Sequence, residues 1–138
     1  MKNFKRYEIV VYLIIIVLFY FVISFFAEKD KSSLLKNIKF TEAIIKSDFH
    51  YKNTSGGAGY DFIYYVNNIP YHRTASRGNY KTYAKYLLAY DSLKPRNYEI
   101  FTHIEITDSI YSAPENGWKI DKIPFTVNTK KILEYIKQ

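Results

Sequence analysis

Between Ile9 and Ala27 the sequence IVVYLIIIVLFYFVISFFA runs for nineteen positions without a charge. Apolar residues recur on every side at helical spacing, so as a helix this run has no face for water. At about 1.5 Å per residue it reaches roughly 28 Å, close to the hydrocarbon thickness of a bilayer. Its polar atoms are the phenols of Tyr12 and Tyr20 and the hydroxyl of Ser24, which can bond back to its own helix. The pattern predicts a stub over 1–8, a transmembrane helix over 9–27 and a juxtamembrane linker over 28–39. That linker carries the charged juncture Glu28-Lys-Asp-Lys-Ser-Ser33. The basic start MKNFKR suits a signal peptide, but the apolar run exceeds the usual length of about 7–15 residues. Phe25-Phe26-Ala27 also lacks the small residue that cleavage requires, so the run reads as an uncleaved signal anchor.

Beyond the run the periodicity changes. Leu34, Leu35, Ile38 and Ile45 fit a helical period, while Phe40 to Tyr51 alternates as a strand does, and its β-branched and aromatic content favours the strand. Asn53-Thr-Ser-Gly-Gly-Ala-Gly59 is the clearest loop. Tyr60–Val66, Asn67-Asn68 and Ile69–Ala75 predict a β-hairpin with a type I′ turn, because Asn tolerates positive φ. A two-residue turn sets Val66 opposite Ile69, Tyr64 opposite Tyr71 and Phe62 opposite Arg73 on the face expected to be core. Tyr65 with Pro70 and Ile63 with His72 fall on the other face, and Pro70 calls for a sheet edge. Asn79 is expected to cap a short helix carrying Tyr80, Tyr83, Ala84 and Leu87 on one side, followed by a strand from Tyr86 to Tyr90. Asp91–Asn97 reads as a turn. Tyr98–Thr107 reads as a strand, with Tyr98, Ile100, Thr102, Ile104 and Ile106 on one face. Pro114-Glu-Asn-Gly117 is a turn before Trp118, and Thr129 is expected to cap a last helix, Lys130 to Lys137. The fold class is α+β, mainly antiparallel β: one N-terminal transmembrane helix, then a small sheet or open barrel over 40–138 with one or two short helices.

The stretch Tyr60-Asp-Phe-Ile-Tyr-Tyr-Val-Asn-Asn-Ile-Pro-Tyr71, followed by a strand entering Tyr90-Asp91-x-x-x-Pro95, resembles a group of uncharacterised bacterial membrane-anchored proteins. In that group one or two membrane helices carry a small Tyr-rich β domain. The match covers about residues 60–95, and Asn68 stands where the group often has Gly. The group carries no established activity or catalytic residues, so the resemblance implies an architecture alone.

Charge narrows the partners. Three of the 20 basic residues and one of the 13 acids precede the apolar run, which leaves 17 against 12 and a net +5 after it. That favours anionic surfaces but is far from the basicity of a nucleic-acid binder, and no nucleic acid is expected. The absence of cysteine excludes disulfides, thiolate metal sites and a cysteine nucleophile. His50, His72 and His103 fall in different predicted strands without ligand spacing, so no metal or cofactor is expected. Gly56-Gly57-x-Gly59 lacks the Gly-Lys-Ser/Thr of a phosphate loop, and no Gly-x-Ser-x-Gly frame surrounds any serine. The most suggestive segment is His72–Arg96, where Arg73, Arg77, Lys81, Lys85, Lys94 and Arg96 interleave with Tyr71, Tyr80, Tyr83, Tyr86 and Tyr90. From it Arg73, Arg77, Tyr80, Lys81, Lys85 and Arg96 form a candidate ligand face, read against the alternative of core tyrosines with a solvated cationic rim.

These readings favour a non-enzymatic binding or accessory module of the bacterial envelope, held in the bilayer through residues 9–27. Its expected partner is an envelope protein or an acidic polymer. The short basic stub favours a cytoplasmic N-terminus and an extracytoplasmic domain, although Lys29, Lys31, Lys36 and Lys39 nearly balance it. An immunity-type inhibitor of a toxin or enzyme at the membrane and an envelope hydrolase are the alternatives.

Overall fold

Helix-forming residues without Gly or Pro continue past the apolar run, and the helix continues with them. The structure is a computed structural model that describes residues 2–52 and 57–138. Its first helix, α1, spans Lys2–Lys36, so the expected linker over 28–39 is helical through Lys36 and then enters a strand. Glu28, Lys29, Lys31, Leu34 and Leu35 all favour helix. Leu34 adds a tertiary reason, being 3 % exposed in the core of the β domain. The chain divides between Ser33 and Leu34 into two units, so the domain starts earlier than residue 40. α1 is long and apolar enough to cross a membrane.

Among the described residues six antiparallel strands follow: β1 (Ile38–Ile45), β2 (His50–Tyr51), β3 (Ala58–Val66), β4 (Ile69–Ala75), β5 (Lys85–Asp91) and β6 (Tyr98–Glu105). A short helix, α2 (Thr129–Lys137), closes the chain. β1 lies inside the sheet, paired with β3 and β5, while β6 pairs β5. The β3–β4 hairpin has the register the sequence predicts, with Val66 opposite Ile69 and Phe62 opposite Arg73. Asn67 and Asn68 have φ of 52° and 63°, the type I′ values. Among the described residues β4 pairs β3 alone, and its outer edge is blunted. Pro70 has no N–H to offer there, and Arg73 Nη1 caps the His72 carbonyl at 2.8 Å.

Both faces of the sheet are buried. One carries Ala43, Ile45, Phe62, Tyr64, Val66, Tyr86, Leu88 and Tyr90. The other carries Phe40, Leu87, Ala89 and Phe101 under Trp118, Ile132 and Ile136. Among the described residues, the first face draws on strands and turns with no helix residue in it, and the sheet curls over it. Tyr98 of β6 lies 5.6 Å, ring to ring, from both Phe62 and Tyr64 of β3, although β1 and β5 intervene. Flat strands would hold those positions roughly 14 Å apart. The sheet stays open and does not close into a barrel.

Three local expectations are corrected. The helix expected over 79–87 does not form: Lys81–Ala84 is a turn, and β5 takes the residues from Lys85. Seven residue pairs between β1 and β5 outweigh the local period. The cap of the last helix is Asn128, whose Oδ1 accepts from Lys131 N at 3.0 Å, one residue before Thr129. In β6 a register shift breaks the alternation, so Ile104 and Ile106 join Phe101, while Ile100 packs on the opposite face.

The tyrosine core makes the domain sensitive to alkali. Burial pushes the Tyr90 phenol from 10.0 up to about 12 and raises Tyr64 and Tyr80 as well. The folded state thus keeps protons that the unfolded chain releases near pH 10. This stabilisation is complete below pH 10 and is lost as pH rises through 12, on the order of 3 kcal/mol for Tyr90. A pH titration should therefore show part of the tyrosinate absorbance appearing together with unfolding reported by Trp118. Smooth ionisation of all tyrosines before any change at Trp118 would contradict this.

Candidate functional site

β1 starts at Ile38, just after α1, and delivers the chain at Ile45 to the opposite end of the sheet. Two connections meet at that end, the bend at 46–49 and the turn before β5. Backbone bonds tie them, Ile45 N to Ala84 O at 3.1 Å and Tyr83 N to Ile45 O at 3.0 Å. The Thr82 hydroxyl donates to Asp48 across the same gap.

An aromatic series runs outward from the core there. Tyr86, Tyr80, Tyr60, Phe49 and Tyr51 meet edge to face at centroid spacings of 5.0, 5.3, 5.4 and 5.7 Å. Exposure rises along it, from 2 % at Tyr86 to 45 % at Phe49 and 82 % at Tyr51. Tyr83 stands beside it at a turn, 77 % exposed. Its φ of 65° lies in the left-handed region that a bulky residue rarely adopts. Backbone bonds from Ile45 of β1 to Tyr83 and Ala84 hold it in that conformation, with the ring exposed to solvent.

On the other face of β3–β4 lies a polar network. Asp61 carboxylate oxygens meet Lys52 Nζ at 2.8 Å, the Thr74 hydroxyl at 2.7 Å and His50 Nε2 at 3.3 Å. Lys52 and Thr74 hydrogen bonds hold the Asp61 carboxyl below its usual range. Ser47 Oγ lies 3.2 Å from His50 Nδ1 and accepts the Asp61 N–H at 2.9 Å. Ser47, His50 and Asp61 thus stand in the order of a relay triad. However, His50 Nδ1 also faces the Asp48 carbonyl at 3.1 Å, and Ser47 is already an acceptor. The arrangement staples the bend and β2 onto β3.

The ligand face expected from the sequence does not assemble as one surface. Tyr80 is 6 % exposed and belongs to the core. Lys81 is bound to Glu105 at 2.7 Å and Lys85 to Glu42 at 3.1 Å. Arg73 turns to the edge of β4, and Arg77 is exposed after it. Arg96 lies in the β5–β6 turn, at the far end of β5 from Lys85. Of the interleaved tyrosines, Tyr86 and Tyr90 are core as well. The histidines stay apart: His50 serves Asp61, His72 is exposed and His103 packs against Phe101 and Tyr135. Among the described residues no three His, Cys, Asp or Glu side chains converge as a metal site. Sequence reasoning passed over Phe49, Tyr51 and Lys46; the available signal was the turn-forming Ser47-Asp48 pair, which interrupts the alternation just before two aromatic residues.

A groove of about 380 Å³ lies between β6 and α2 over an apolar floor that includes Ile106 and Ile132. Its rim is committed to structure, Glu105 to Lys81, Asp108 to the Ile110 N–H and Asn128 to α2. No known protein family, curated protein or solved structure matches the chain.

Proposed function

We propose that the chain is a non-enzymatic binding module of a bacterial cell envelope, tethered by residues 9–27 and engaging its partner through the loop end of the sheet. The observation that carries this reading is the exposed aromatic set Phe49, Tyr51 and Tyr83, one ring of which is held out on a left-handed backbone. Tyrosine provides large contact area at low entropic cost, and rings of this kind are enriched at the centres of interfaces. Arg77, exposed at the same end, adds positive charge suited to an envelope protein with an acidic surface or to an acidic polymer. The short stub with Lys2, Lys5 and Arg6 supports a cytoplasmic N-terminus, which sets the domain outside.

The test is crosslinking in intact cells with the full chain, compared with a Tyr51→Ser, Tyr83→Asn double variant. Asn tolerates the backbone at position 83, so the turn should survive. The variant should lose the specific crosslinked product while remaining folded and membrane-bound. An unchanged product would overturn the reading.

A further inference from the structure

The polar network on the far face of β3–β4 borders a pocket of about 200 Å³ lined by Lys46, Lys52, Phe62, His72, Arg73 and Thr74 around Asp61. It lies on the opposite side of the sheet from the aromatic series and does not depend on the binding role assigned to that series. The register explains how residues so distant in sequence meet. Asp61 faces Thr74 and Ile63 faces His72 across the hairpin, while Lys46 N donates to Asp61 O at 2.7 Å and fixes the bend against β3.

The charge in this pocket is unbalanced. Two ammonium groups, Lys46 and Lys52, line it against Asp61 as the single carboxylate among the lining residues, while the Arg73 guanidinium lies toward Tyr64. Asp61 is already occupied: Lys52, Thr74 and His50 share its two oxygens. It therefore acts as the post that holds the Lys52 ammonium at the pocket wall, and it stays ionised because those partners lower its proton affinity. Lys46 is exposed beside it, and so is His72, whose ring can donate to an anion.

The donor geometry selects among anions. The Arg73 guanidinium turns away from the pocket, with Nη1 donating to the His72 carbonyl and the group approaching the Tyr64 phenol on the core face, so it presents no planar fork to the pocket. What remains are ammonium groups and an imidazole, point donors that suit the several oxygens of a phosphate. We infer that this pocket is a phosphate-binding site, taking either a phosphomonoester carried on a lipid headgroup or a free phosphate.

The test uses the full chain in phosphatidylcholine nanodiscs, with the His72 ring resonances followed by NMR at constant ionic strength. Inorganic phosphate is titrated in one arm, and nanodiscs doped with phosphatidic acid form the other. A saturable shift at His72 in either arm is expected, and which arm produces it identifies the source. Lys46→Glu should weaken that response at least tenfold and Lys46→Gln several-fold, whereas Arg77→Glu, outside the pocket, should leave it unchanged. Trp118 fluorescence verifies that each variant is folded. No saturable shift in either arm, an equal response to acetate, or equal losses in the Lys46→Glu and Arg77→Glu variants would each overturn the inference.

Discussion

Replacing Tyr64 with alanine is expected to lower the unfolding free energy by about 3–5 kcal/mol, a large share of what holds a domain of this size together. Tyr64 is 0 % exposed and sits at the middle of the curled face. Its ring lies 5.2 Å from Tyr71 and 5.6 Å from Tyr98. Because no helix residue joins this face among the described residues, the aromatic rings are its filling, and removing the central one leaves a cavity that the sheet cannot easily collapse. The hydroxyl has a separate role, donating to the Pro95 carbonyl at 2.6 Å and tying β3 to the β5–β6 turn. Tyr64→Phe isolates that bond and should cost about 1 kcal/mol. Urea unfolding of the full chain in detergent, read by Trp118 as the single tryptophan, separates the two contributions. Similar losses for the two variants would mean that the curled face does not depend on the ring.

Gly117→Ala is the second large effect, about 3 kcal/mol or more. Gly117 has φ +71°, where a side chain is strained by roughly 1–2 kcal/mol. A Cβ would also stand 2.5 Å from the Tyr90 hydroxyl and 2.7 Å from the Phe40 carbonyl, so something must move. What would move is the joint between sheet and cover. Phe40 and Trp118 exchange backbone hydrogen bonds at 2.9 and 2.7 Å, and the Tyr90 hydroxyl donates to Asn116 O at 2.9 Å. The expected result is a loss of stability together with a change in the Trp118 emission of the folded protein. A variant with the parent's urea midpoint would contradict the tight packing at this turn.

Much of the architecture could be read from local patterns, and the failures have physical causes. The uncharged run specified its helix because no charge, Gly or Pro interrupts it. The β3–β4 hairpin was legible because Asn67-Asn68 fixes the turn, and the turn fixes every pair behind it. The stretch from Asn79 misled because Tyr80, Tyr83, Ala84 and Leu87 have helical spacing, yet pairing with β1 claims the chain from Lys85 and forces Tyr83 to positive φ. The charged juncture after Ala27 looked like a linker by composition, whereas Leu34 at its end is a core residue. The candidate sites were the least legible. Lys46, Asp61 and His72 meet only through the register of two strand pairs, and Phe49 and Tyr51 reach the aromatic series only because the chain bends at 46–49. The segment rich in tyrosine and cations looked like a surface because sequence does not say which tyrosines fill the inside of a curled sheet.

The account rests on residues 9–27 being surrounded by lipid. Extraction of membranes carrying the full chain with alkaline carbonate tests this most directly, because carbonate strips peripheral proteins and leaves spanning helices behind. The chain should remain in the pellet, and an Ile15→Arg, Ile16→Arg variant should leave it, since each Arg at the centre of the span costs about 2.5–3.5 kcal/mol. Release of the unaltered chain, with its N-terminus intact, into the supernatant would contradict the account.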